Sequence, residues 1–202
     1  MTTIDIPALA GKLATLELEM VRAYRSTASL SFQQQRLKLA KQAGDGPLPE
    51  EVEDLLADQL TIAEEVLELS EELSIVAAYR IVELGAKRNA RWLDKSYTQF
   101  TWPSFTKLLA TIGVSMKNLP GAILIDELRH LNNSIKHEGV VSAGLAKYPG
   151  WIQGERVHPL ATHFDRLSKP IPQFVEALLR GILPVKLGGS RPNPQQSTTG
   201  TT

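Results

Sequence analysis

Between Leu128 and Gly139 the chain reads Leu-Arg-His-Leu-Asn-Asn-Ser-Ile-Lys-His-Glu-Gly, placing two of its four histidines beside an arginine, two asparagines and a lysine. Arginine, lysine and an asparagine amide can hold a phosphate, and histidine can take up or release a proton near neutral pH. No other stretch collects as many such groups on one expected helix. Leu124, Leu128, Leu131 and Ile135 step by four, three and four, which marks the side of that helix that faces a core. Taking about 100° per residue, Arg129, Asn133 and His137 lie about 100°, 140° and 180° around from Leu128. They form a wedge pointing away from that core. A neighbouring helix, the later loop or a second copy of the chain would have to cover it. The same spacing also suits a purely structural role: Lys136 and His137 complement the carbonyl end of a helix, and Gly139 stops it.

The elements that must position this helix are helical as well. From Pro7 to about Ala43 the residues are strong helix formers, with Leu13, Leu16, Met20, Ala23 and Tyr24 at helical spacing. Gly44-Asp45-Gly46-Pro47 breaks the chain, and Pro49 with Glu50 and Glu51 opens a second helix that runs to about Ser96. In it Ile62, Val66, Leu69, Leu73 and Val76 step like the seam of a coiled-coil-like pair, and the short turn makes the two long helices antiparallel neighbours. Its charges are segregated: ten acids and no Lys or Arg between Glu50 and Ala78, then Lys87, Arg88, Arg91 and Lys95. Arg36, Lys38 and Lys41 of the first helix should lie beside the acidic half as a solvated ion-pair face.

Tyr97 to Pro103 is an aromatic-rich connection, and a short helix follows from about Ser104 to Thr111. The histidine-bearing helix opens at Leu119-Pro120. Val140 to Leu167 has no sustained period and reads as an irregular loop region with a short helix and a hairpin-like excursion. Pro170-Ile171-Pro172 leads into a last helix with Phe174, Val175, Leu178 and Leu179 on its apolar face, and residues 188–202 read as a disordered tail. The expected fold is one all-α domain over residues 1–187: two long antiparallel N-terminal helices, shorter C-terminal ones and an irregular loop region.

Composition bounds the function. The 202 residues carry a formal net charge of zero, so any attraction to nucleic acid or membrane must come from a local patch. With no cysteine, disulfides, thiolate metal sites and a cysteine nucleophile are excluded. The first ten residues lack a signal-peptide pattern and no apolar run is long enough to span a bilayer, which points to the cytoplasm. His158 and His163 have no metal-ligand spacing, no glycine-rich phosphate loop is present, and neither a metal nor a cofactor is expected.

The run Arg129-His130-Leu131-Asn132-Asn133-Ser134-Ile135-Lys136-His137 resembles the late-helix motif of HEPN domains, small helical bundles of toxin–antitoxin, abortive-infection and CRISPR effector proteins. The resemblance takes in the Leu119-Pro120-Gly121 lead-in and, more loosely, Tyr79 to Leu84 on the partner helix. It implies an HEPN-like bundle and a homodimer in which two such helices meet as a metal-independent ribonuclease. In that arrangement Arg129 holds the scissile phosphate, Asn133 assists and His137 is the acid/base. RNA or a nucleotide would be the ligand and an antitoxin a natural protein partner. Seven residues separate Arg129 from His137, against the family's four to six. This departure leaves open an inactive HEPN-like module that binds RNA, nucleotide or protein, or a helical scaffold.

Further binding candidates surround the motif. Lys136 and Asn132 lie within it. Glu83 could orient His137 or Arg129, or merely pair with Arg80 at three-residue spacing. Lys87 and Arg88, with Arg91 and Trp92, could form a phosphate-binding strip, and dipole complementation explains them equally well. Arg156, His158, His163 and Asp165 are expected on a surface loop.

Overall fold

The computed structural model describes residues 4–43, 49–137 and 139–186. They form an all-α bundle of six α-helices: α1 (Ile6–Ala43), α2 (Glu50–Leu93), α3 (Trp102–Thr111), α4 (Ala122–His137), α5 (Ala161–Ser168) and α6 (Ile171–Lys186). Single 3₁₀ turns, Met116–Asn118 and Leu145–Lys147, flank α4 in sequence. The Gly44–Pro47 break and the 188–202 tail lie outside the described residues. No helix among the described residues is long and apolar enough to cross a membrane.

The two long helices form as expected, with Glu50, Glu51 and Glu53 in the first turn of α2, where acids meet the positive end of the helix dipole. They pack antiparallel. Met20 and Tyr24 of α1 share a groove with Leu73 and Val76 of α2. Arg25 of α1 bonds Asp165 and the Ala161 carbonyl while Glu71 of α2 accepts from the Leu160 amide, so both helices reach α5 at the same level. Helix α6 runs back along α1, pairing Arg180 with Asp5, and packs at Gly11, where an added Cβ would come within 3.2 Å of Glu176 and the Pro172 carbonyl.

The apolar seam of α2 is left largely uncovered. Ile62, Val66, Leu69 and Leu73 are exposed, as are Leu13, Leu16, Met20 and Tyr24 on α1. The face that α2 buries is instead Ser70, Ser74, Ile75, Ala78, Tyr79, Val82, Ala86 and Ala90. Small residues let neighbouring helices approach closely, and the core they meet holds Phe105, Leu109, Phe164, Leu167, Phe174 and Leu178. The buried seryl hydroxyls need no partner on another helix, since Ser70 and Ser74 donate to the Leu67 and Ser70 carbonyls. Arg36, Lys38 and Lys41, expected to pair with the acidic half of α2, form no ion pair among the described residues; the salt bridges found run elsewhere.

The core side of α4 is as the spacing indicates, with Leu128 and Leu131 fully buried and Leu124 and Ile135 packed at the margin. The aromatic connection folds onto α2: Phe100, Trp102 and Phe105 contact one another edge-on or tilted, and the Trp102 indole N–H donates to the Tyr79 hydroxyl at 2.6 Å. Residues 140–160 form the hairpin-like excursion, held by an isolated bridge between Val140 and Arg156. Much of it packs inward rather than lying on the surface, with Val141, Leu145, Trp151, Val157 and Leu160 buried.

Candidate functional site

The outward side of α4 is divided along its length. At its amino-terminal end the excursion covers it. Asp126 accepts both Nε and Nη2 of Arg129, at 2.9 and 2.7 Å, and its other oxygen accepts the Tyr148 hydroxyl. Arg129 Nη2 also lies 2.8 Å from His130 Nε2. A guanidinium can only donate, so Nε2 is the acceptor and the imidazole is neutral with its proton on Nδ1. Burial and the neighbouring Arg129 cation both lower His130 below the usual histidine range, in agreement with that assignment. Burial pushes the Asp126 carboxyl up, but the hydrogen bonds from Tyr148 and Arg129 outweigh it and hold the group below the ordinary range. Tyr148 is raised by burial and by Asp126, so it stays a donor. Gly144 fits here because it has no side chain: a Cβ would sit 2.4 Å from His130 Nδ1.

On the adjacent side, Glu127 is a buried carboxylate. Arg166 donates to it through Nη1 at 2.8 Å and Nη2 at 2.5 Å, and the Trp151 indole N–H donates at 2.7 Å. His163 stacks on Trp151 with ring centroids 4.1 Å apart and lies 3.3 Å from Arg166. Burial and the Arg166 charge lower His163. Burial pushes Glu127 up, and Arg166 and Trp151 more than compensate. This cluster fastens α5 and the excursion to α4. Neither Asp126 nor Glu127 stood out in the sequence. Asp126 was detectable through its three-residue spacing to Arg129, whereas Tyr148, Trp151 and Arg166 come from the aperiodic region and had no signal.

At its carboxyl end α4 is open. Asn133, Lys136 and His137 are exposed, and Lys136 stands at the rim of a groove of about 630 Å³ where Met20, Tyr24, Leu73, Val76 and Arg80 meet. The sequence-expected set is therefore separated. Arg129 faces the Asp126 end, while Asn133 and His137 face solvent. Asn132, expected to bind, is buried; its amide nitrogen reaches Asn133 at 3.4 Å, and its Oδ1 has no hydrogen-bond partner among the described residues.

Glu83 sits between Arg80 at 2.7 Å and Lys87 at 3.1 Å. Burial raises its carboxyl and those two cations pull it below the usual range. It is thus engaged on its own helix and orients neither Arg129 nor His137. Lys87, Arg88 and Arg91 do line one groove with Tyr97 and Phe100, and Lys87 lies over the Phe100 ring at 5.6 Å; Trp92 is not among the lining residues. The remaining histidine, His158, meets Glu72 at 3.0 Å, and Arg156 meets Glu68. No group of three or more acidic or histidine side chains among the described residues could hold a metal ion.

The chain matches no family model, no curated protein and no solved structure.

Proposed function

We propose that this chain is an HEPN-like, RNA-directed protein whose RNA-facing groups are Asn133, Lys136 and His137. The observation that supports this reading is their shared exposure at one end of α4, while Arg129 is engaged by Asp126 and His130 at the other. Lys136 supplies a cation for a phosphate, Asn133 a neutral donor, and His137 a group able to exchange a proton. Transesterification of RNA needs a base at the 2′-hydroxyl and an acid at the 5′-oxygen. One copy offers a single histidine here, because His130 is occupied by Arg129 and packed against Gly144. A lone chain accordingly binds RNA, and cleavage requires the His137 of a second copy.

The test is titration of labelled single-stranded RNA into the protein, followed by incubation in EDTA. Lys136→Ala should lower the salt slope of binding by about one. His137→Ala should abolish any cyclic-phosphate product while leaving binding in place. Unchanged binding by a variant lacking Asn133, Lys136 and His137 together would refute the reading. A second reading, a helical assembly module, is favoured by the large apolar side chains exposed along α1 and α2.

A further inference from the structure

The exposed apolar residues of α1 and α2 form two stripes of one pattern. Ile6, Leu13 and Met20 follow one another at seven-residue steps, with Tyr24 four further on; Leu55, Ile62 and Leu69 do the same, with Leu73 four further on. A single offset of 49 residues carries each member of the first stripe onto the second. Each stripe spans roughly 27 Å of helix. All eight side chains are exposed, from 45% at Leu73 to 74% at Met20. Together with Leu9, Leu16 and Val66 they present on the order of 1,000 Å² of apolar side chain, more than the ~300–600 Å² of the largest patch on an ordinary monomer.

Within one chain the stripes cannot cover each other. The groove at Met20, Tyr24, Leu73 and Val76 fixes the register of the antiparallel pair. Ile6 to Met20 therefore runs beside the half of α2 that follows Leu73, and Leu55 to Leu69 runs beside the half of α1 that follows Tyr24. The stripes meet only at the groove and diverge from it in opposite directions.

We infer that a second copy of this chain packs on this face about a two-fold axis near Leu73, with α2 antiparallel to the partner's α2. Reversing α2 about that point lays the stripe Leu55–Leu73 of each copy along the stripe Ile6–Tyr24 of the other. The common 49-residue offset then matches them step for step. The area agrees with the ~800 Å² per partner of a standard interface.

Charge selects the same arrangement. The antiparallel crossing sets the acidic end of each α2, with Asp54 and Asp58, over the basic end of the other, with Arg88 and Arg91. None of these four forms an ion pair among the described residues. A parallel crossing would oppose like charges along the whole seam. The axis also brings the two copies of Lys136 to one groove, so the ends of both α4 helices open beside each other. The inference rests on the stripes and their charges, not on the RNA reading, and absence of cleavage leaves it intact.

The test is the mass of the full chain in solution by sedimentation equilibrium at tens of micromolar. The expected value is twice the 22.2 kDa of one chain. Leu69→Lys and Leu13→Lys, both exposed in the monomer, should each halve that mass with unchanged helical circular dichroism. Because the chain has no cysteine, register can be read by cross-linking. Leu13→Cys and Ile62→Cys chains should form a disulfide with each other when mixed, and neither with itself. Asp58→Lys should weaken the dimer and Arg88→Glu in the same chain restore it. A monomeric wild type, a dimer indifferent to both lysine substitutions, or self-linking of the Leu13→Cys chain would each overturn the inference.

Discussion

Arg166 grips the buried carboxylate of Glu127 with both guanidinium nitrogens, joining α5 to α4 across 39 residues of sequence. The two partners are unequal: the Glu127 side chain is 2% exposed and that of Arg166 42%. Losing Arg166 therefore strands a charge in the interior, whereas losing Glu127 leaves a cation that water can reach. Arg166→Ala should cost about 3 kcal/mol, at the low end for a broken buried pair. Glu127→Gln should cost less. Urea unfolding followed by tryptophan fluorescence measures both, with Trp151 reporting directly since it shares the carboxylate.

Two neutral histidines make the fold acid-sensitive. His130 and His163 are both held below the ordinary value of 6.5 by burial and by an adjacent arginine. The unfolded chain then binds more protons than the native one as pH falls through that value, so stability rises with pH across this window and declines on acidification. The melting temperature should drop between pH 7 and pH 5.5, well before the carboxylates titrate. His163→Gln should flatten part of that slope. A melting temperature constant over this range would contradict the assignment.

Gly144→Ala should disturb His130 specifically. The added methyl would lie 2.4 Å from Nδ1, so the ring or the 3₁₀ turn must shift. A cost of about 1–3 kcal/mol is expected for such overpacking. Proton–nitrogen correlation spectra of the imidazole should show the His130 signals moving while those of His158 stay in place.

Tyr79→Phe removes the acceptor of the Trp102 indole N–H. The unpaired donor should cost about 1 kcal/mol, with a red shift in tryptophan emission if water takes the vacant position. Trp102→Phe in the Tyr79→Phe background should recover part of that loss, since no donor then remains to satisfy.

The helical architecture was legible in the sequence, and so was the core side of α4, because Leu124, Leu128, Leu131 and Ile135 are large residues at regular steps. The orientation of α2 was not. Periodicity weighs large apolar side chains, and Ile62, Val66, Leu69 and Leu73 point outward while the core face is made largely of small residues such as Ala78, Ala86 and Ala90 beside Ile75, Tyr79 and Val82. The candidate site was legible only at one end. Counting around the helix correctly directed Asn133 and His137 away from the core, but Arg129 finds its carboxylate one turn back. The partners that cover it come from a region without any period.

The alanine face of α2 has one more consequence. Gaps between helices that admit Ala78, Ala86 and Ala90 do not admit leucine or isoleucine without strain of about 1–3 kcal/mol at each position. Rolling α2 about its axis to hide Ile62, Leu69 and Leu73 would drive side chains of that size toward the alanine gaps. The helix is keyed in one rotational setting, and none of the described residues hides its greasy side.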